Sequence, residues 1–310
     1  MPDLHPLAGV YAAALTPLRE GGPAAGEPGS ALDLDAVPGL LHFLHSRGCH
    51  GALILGTTGE GPSFSPTERE ILMRAAVAFR EQEPDFRLLA GTGTPSLDET
   101  IGLTRLAFRL GYEGVVVLPP YYYRKASEDG LFRWFSELIG AAVPEQGYLL
   151  GYHIPGITGV GFSIDLLSRL KEAFPRQFAG IKDSSHDPDF ACALGDRFGR
   201  DLLVLSGTDS YLELAMQHGA QGCITAPANL ISPDLRALWE GLIAGEDVGD
   251  LQRRVTEQRH VLESQPPFPP LLKALIHRMY EFPRWPVRAP LEPVAREVEE
   301  RLLEELSLAA

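Results

Sequence analysis

Lys182 is the residue of this sequence best suited to covalent chemistry. It follows the apolar run Phe178-Ala179-Gly180-Ile181, where burial disfavours an ammonium ion and a neutral amine can attack a carbonyl. The imine so formed is an electron sink: it makes the adjacent carbon acidic or lets a carbon–carbon bond break. Lysines are scarce, four (Lys125, Lys171, Lys182 and Lys273) among 27 basic residues, so one inside an apolar run stands out. The alternative is a lysine paired with Asp183, or one whose aliphatic stem carries its charge out to water. Tyr152 ends the preceding apolar run. A phenol beside an amine can move protons during imine formation; a core tyrosine with a satisfied hydroxyl is the alternative. Gly56-Thr57-Thr58-Gly59 offers two hydroxyls and backbone amides suited to a carboxylate, or simply a tight turn. No Gly-Lys-Ser/Thr follows these glycines, which argues against a phosphate loop. Tyr121-Tyr122-Tyr123 suits a pocket wall or a subunit interface. Asp209 suits substrate hydroxyls or the cap of a helix beginning near Ser210. His153 reads as a satisfied wall histidine and takes no role.

These residues fall at the ends of short apolar runs: Gly9–Thr16, Gly51–Gly56, Arg87–Thr92, Gly114–Pro119, Gly147–Ile154, Phe178–Asp183, Asp201–Gly207 and Gly222–Ala226. Each is too short for a helix and reads as a strand buried on both faces, as in a parallel sheet. Helices are announced between them. Ser65-Pro66-Thr67-Glu68 offers an N-cap, a proline in the first turn and an early acid, and Ser96–Glu99 has capping-box spacing. Ser127-Glu128-Asp129 and Ser163-Ile164-Asp165 open two more helices. Eight strands alternating with helices over about 230 residues predict an α/β fold, a (β/α)8 TIM barrel, whose chemistry gathers at the carboxyl ends of the strands. A doubly wound sheet is the rival, but Leu15-Thr16-Pro17-Leu18 is no dinucleotide fingerprint. Residues 1–230 are expected to form the barrel core. Residues 231–310 supply its last helix and a helical C-terminal extension, with helices over Ser232–Gly245, Val248–Ser264, Pro270–Glu281 and Leu291–Leu308. Glu20–Ser30 reads as an exposed loop.

Composition narrows the class. The chain has 310 residues, 45% hydrophobic and 22% charged, with a net charge of −14. This is globular composition, and the negative charge argues against nucleic acid as a partner. No run approaches the roughly 18 apolar residues of a membrane helix. Met1–His5 lacks the basic-then-apolar pattern of a secretory signal, so a cytoplasmic protein is expected. Cys49, Cys192 and Cys223 form neither a disulfide framework nor a metal motif, and no strand end gathers metal ligands.

Taken in order, the strand ends resemble the class I pyruvate-dependent lyases: dihydrodipicolinate synthase, N-acetylneuraminate lyase, and the aldolases and dehydratases of 2-keto-3-deoxy sugar acids. The resemblance spans about residues 7–300 and rests on matching segments along the chain. These are Thr16-Pro17, Gly56-Thr57-Thr58-Gly59-Glu60, Pro120-Tyr121-Tyr122, Tyr152 with Ile154-Pro155, Gly180-Ile181-Lys182-Asp183, Ser206-Gly207 with Asp209, and Gly222 with Ile224. It implies that Lys182 forms the Schiff base and Tyr152 transfers protons. Thr57 and Thr58 would hold the carboxylate of pyruvate, with Thr57 also relaying protons. Tyr122 would reach across a dimer interface into the neighbouring site. It further implies a homotetramer, a dimer of dimers, needing no cofactor and no metal.

The departures bear on substrate. Dihydrodipicolinate synthases continue Tyr-Asn-Val-Pro-Ser-Arg-Thr after the strand-five tyrosine. This chain has Tyr152-His153-Ile154-Pro155-Gly156-Ile157-Thr158, and Ile157 cannot make the arginine's bidentate carboxylate contact. Pro66, Arg69 and Pro95 stand where that family carries its lysine-feedback residues, so feedback by lysine is not expected. Asp209-Ser210 stands where N-acetylneuraminate lyases carry Asp-Glu. The reading is therefore a Schiff-base lyase that reversibly cleaves a 2-keto-3-deoxy acid to pyruvate and an aldehyde. Ser184, Asp209 and Thr225 are the candidates for the substrate's variable end. The alternatives are dihydrodipicolinate synthase, a keto-deoxy sugar acid dehydratase, N-acetylneuraminate lyase, and a ligand-sensing barrel without catalysis. The last is disfavoured by Lys182 and Tyr152 occurring together.

Overall fold

The computed structural model describes residues 4–21, 29 and 31–309. Part of the expected Glu20–Ser30 loop, residues 22–28 and 30, lies outside them, as do residues 1–3. Eight parallel strands close into a barrel in sequence order: β1 (Gly9–Ala13), β2 (Gly51–Ile54), β3 (Arg87–Gly91), β4 (Gly114–Val117), β5 (Tyr148–His153), β6 (Phe178–Asp183), β7 (Leu203–Ser206) and β8 (Gly222–Thr225). Each lies within its expected run. The helices are α1 (Val37–Ser46), α2 (Pro66–Arg80), α3 (Leu97–Arg109), α4 (Glu128–Ala142), the single turn α5 (Pro155–Thr158), α6 (Ile164–Ala173), α7 (Pro188–Phe198), α8 (Leu212–Gln217) and α9 (Ala228–Ala244). Beyond the barrel come α10 (Gly249–Glu263), α11 (Phe268–Tyr280) and α12 (Arg296–Leu308).

Alternation along the strands divides the apolar residues between two cores. Tyr11, Leu53, Leu89, Val116, Leu150, Leu205 and Ile224 fill the barrel interior. Val10, Ala52, Leu88, Val115, Leu149, Ile181 and Cys223 face the surrounding helices. Each large aliphatic side chain so buried contributes about 1.5–3 kcal/mol relative to exposure. Both faces are dry, which is why the runs read as continuously apolar. Gly180 is required by close approach: a Cβ there would lie 1.9 Å from the Leu203 carbonyl oxygen.

Capping follows the sequence signals. Ser65 and Glu68 form a reciprocal capping box on α2. Ser96 accepts from the Glu99 amide at 3.3 Å, while the return contact from the Glu99 carboxylate is not made, so the box is half formed. Ser127 and Ser163 cap α4 and α6. Two helix starts differ from expectation, and a third helix gains a turn. Helix α9 opens with a short turn at Ala228, whose amide donates to Thr225 Oγ1 at 3.3 Å; its backbone breaks at Ile231, and the helix proper runs from Ser232, as expected. Helix α11 starts two residues early, since prolines fit a first turn. Helix α12 starts at Arg296, not Leu291, because Pro293 disfavours helical backbone at Glu292. Cys49 and Cys223 are buried, Cys192 is partly exposed, and all three are free. No helix among the described residues is long and apolar enough to cross a membrane.

Candidate active site

Strands β5 and β6 pair Tyr152 directly with Lys182, and the next pairing sets Lys182 beside the inward Leu205. Both side chains therefore point into the barrel mouth. Lys182 is 3% exposed, and its Nζ sits 4.0 Å from the centroid of the Tyr152 ring. Asp183, the next residue, faces the other way. Its carboxylate accepts the Ser185 amide at 3.0 Å and is pushed up to about 6 by burial. No ion pair joins Lys182 to Asp183 among the described residues, so the alternative of a Lys182–Asp183 pair is set aside by strand geometry. The Tyr152 hydroxyl lies 3.2 Å from Thr57 Oγ1. Burial opposes ionisation of this phenol. The charge of Lys182 and hydrogen bonding to Thr57, Lys182 and Ser184 outweigh that effect and pull its pKa below the usual tyrosine value.

Thr57 and Thr58 stand in a loop whose two ends have left-handed backbone, Leu55 (φ 62°) and Glu60 (φ 55°). Two backbone bonds close it, from Glu60 N to Thr57 O and from Gly61 N to Gly56 O, both 3.1 Å. Thr16, at the end of the first apolar run, donates its hydroxyl to Gly59 O at 2.6 Å. Thr58 is buried and Thr57 half-buried. Among the described residues neither threonine amide has a backbone acceptor, which leaves two donors beside two hydroxyls. A cavity of about 20 Å³ touches Thr57 and Tyr152 and is also lined by Arg69, Gly91 and Gly93 among others. That is room for a water molecule.

The other strand ends are less uniform. Ser184 is buried, and its amide donates to His153 O at 2.8 Å. Asp209 is fully buried, and its Oδ1 accepts from Arg259 Nη1 at 3.0 Å. Burial raises its pKa to about 6 against the pull of Arg259. Asp209 makes no side-chain cap; Thr208 stands at the N-cap of the short 3-10 turn Asp209–Tyr211, and Arg259 already holds the aspartate. Asp209 Oδ2, Thr208 Oγ1 and Tyr211 Oη are buried without hydrogen-bond partners. Thr225 spends its hydroxyl on the start of α9. Tyr122 and Tyr123 meet edge to face at 5.3 Å and are each 75% exposed, so within one chain Tyr122 does not join Lys182. His153 accepts the Phe162 amide through Nδ1 at 2.8 Å and stacks on Phe190; burial lowers its pKa to about 4. Among the described residues no group of three or more His, Cys, Asp or Glu side chains is placed to hold a metal ion.

Sequence reasoning passed over Lys273. This lysine is 1% exposed and pairs with the buried Glu60 at 2.5 Å. Its signal was available, since Lys273 interrupts the apolar stretch Leu271–Ile276 as Lys182 ends another. Arg259, set in the polar helix α10, carried no such signal.

A profile of the family described as the dihydrodipicolinate synthetase family matches residues 6–309. An uncharacterised DapA-like lyase of Chloroflexus aurantiacus is 34% identical over 290 residues, covering 93% of this chain and 92% of that protein. A 4-hydroxy-tetrahydrodipicolinate synthase of Thermus thermophilus is 34% identical over 291 residues, covering 93% and 91%. Among solved structures, the chloride-inhibited dihydrodipicolinate synthase of Acinetobacter baumannii complexed with pyruvate superposes with a TM-score of 0.86 at 28% identity, covering 97% of this chain and 98% of that one. With its closed barrel and these strand ends, the chain is a lyase belonging to the dihydrodipicolinate synthetase family.

Proposed function

We propose that the protein is a Schiff-base lyase that reversibly cleaves a 2-keto-3-deoxy acid to pyruvate and an aldehyde. The observation that carries this reading is the Lys182 amine over the Tyr152 ring, whose phenol in turn meets Thr57. Lys182 Nζ attacks the ketone carbon. The carbinolamine loses water, with the Tyr152 phenol protonating the departing hydroxyl, to give an iminium ion. Removal of the proton on the substrate's distal hydroxyl then breaks the carbon–carbon bond. The aldehyde leaves and the bonding pair passes into the enamine of pyruvate. Protonation of the enamine and hydrolysis of the imine release pyruvate and restore the amine. Thr57 passes protons to and from Tyr152. Thr58 and the neighbouring amides hold the carboxylate. Ser184 contacts the variable end of the substrate, while Asp209 and Thr225, engaged by Arg259 and by α9, shape that wall from behind. No cofactor enters this chemistry.

The test is reductive trapping with pyruvate and borohydride, followed by peptide mapping; absence of an adduct on the peptide holding Lys182 rejects the reading. A second reading is synthesis of 4-hydroxy-tetrahydrodipicolinate, favoured by the name of the Thermus relative. Ile157, 61% exposed at the place of that activity's arginine, weighs against it. Efficient turnover of pyruvate with aspartate semialdehyde, compared with glyceraldehyde, decides for the second reading. The exposed Tyr122 supports assembly into a dimer of dimers in which it enters a neighbour's site, and we place the enzyme in the cytoplasm.

A further inference from the structure

The Gly56–Glu60 loop is anchored on two sides. Thr16 holds it from β1 through Gly59 O at 2.6 Å. The other anchor comes from outside the barrel. Glu60 Oε1 lies 2.5 Å from Lys273 Nζ on α11, and Glu60 Oε2 accepts the Arg288 amide at 2.9 Å. Lys273 Nζ also donates to Pro286 O at 2.7 Å. Both charges of the Glu60–Lys273 pair are almost fully buried. Such a pair is weak evidence for stability, because desolvation offsets much of the attraction. Burial lowers the pKa of Lys273, and Glu60 opposes that effect. What the pair does achieve is geometry. It fixes a left-handed residue two positions after Thr58 to one point on a helix of the C-terminal extension.

We propose that Lys273 is a positioning residue for the carboxylate-binding loop: through Glu60 it sets the register of Thr57 and Thr58 against Tyr152, so the C-terminal extension contributes to keto-acid affinity. The inference rests on the reading of Thr57 and Thr58 given above. It predicts a split in kinetic effects. The loop contacts the carboxylate in bound substrate and transition state alike, so loosening it weakens binding more than it slows chemistry.

The experiment measures trapping of pyruvate by borohydride as a function of pyruvate concentration, in the wild type, in the double variant E60Q/K273M and in K273Q. The double variant removes both buried charges together, the change that buried pairs tolerate best. In K273Q the shorter side chain no longer reaches Glu60 and Pro286 O together. In both, the half-saturating pyruvate concentration should rise roughly ten- to hundredfold, with Lys182 still modified at saturation. Loss of folded protein lowers the amplitude of trapping and leaves half-saturation unchanged, so a merely structural role gives the wild-type concentration. Wild-type half-saturation in both variants overturns this inference alone. No trapping in the wild type overturns the reading of the site, and this inference with it.

Discussion

The Tyr152 hydroxyl bridges β5 to the loop after β2, lying 3.2 Å from Thr57 Oγ1, while the same ring offers its face to Lys182 Nζ at 4.0 Å. One side chain thus touches both the amine and the hydroxyl proposed to act with it. Replacing Tyr152 by Phe keeps the ring under Lys182 and removes only the hydroxyl proposed to carry protons. Turnover of Y152F should fall about 10²–10⁴-fold, with a melting temperature close to wild type. T57V should also fall, and adding it to Y152F should cost little more, since groups acting as a unit are not additive. Fully additive losses in the double variant would show that the contact carries no proton transfer.

His153 supplies a pH-dependent prediction. Its folded pKa is lowered to about 4 by burial, below the unfolded value of about 6.5. The unfolded chain therefore binds the proton more readily. The stability contributed by the neutral ring is complete above about pH 6.5 and is lost as pH falls towards 4. Between pH 7 and pH 5 the wild type should lose about 2 kcal/mol more than H153N, which has no proton to gain. Denaturant titrations of both proteins at the two pH values measure this difference, and parallel losses would refute the assignment.

How far the sequence discloses this site depends on whether the controlling contact is local. Strand β6 and Lys182 are legible because a charged residue interrupts a doubly buried run. The pairing of Tyr152 with Lys182 follows once consecutive strands are set side by side in a barrel. Asp209 is less transparent. Its type and position suit a ligand or a cap, but its partner Arg259 is 50 residues away on a polar helix, and no spacing rule links them. The same holds for Glu60 and Lys273, separated by 213 residues. Helix starts are misread where a proline acts on the residue before it, as Pro293 does at the approach to α12.

Substrate choice is tested at Ile157. This side chain is 61% exposed in the short helical turn Pro155–Thr158 that follows β5. An arginine there could reach a carboxylate bidentately, which isoleucine cannot. I157R should raise kcat/KM for pyruvate with aspartate semialdehyde relative to glyceraldehyde by about tenfold, the effect of roughly one charge-assisted contact. Unchanged or reversed preference would place the specificity elsewhere, with Ser184 the next residue to vary.

Tyr122 gives the last prediction. An aromatic ring 75% exposed beside a second exposed tyrosine has apolar surface to bury, and tyrosine is enriched where interfaces form. If Tyr122 works in a neighbour's site, catalysis depends on association as well as on folding. Specific activity should then fall on dilution in step with the loss of dimer seen by analytical ultracentrifugation. Y122A should lower turnover while the melting temperature of the chain changes little, because the ring makes few contacts within its own protomer. Y122F should separate the two roles, retaining the dimer and losing only what the hydroxyl contributes. Activity that stays constant across the dissociation range, or a Y122A protein as active as wild type, would confine the catalytic machinery to a single chain.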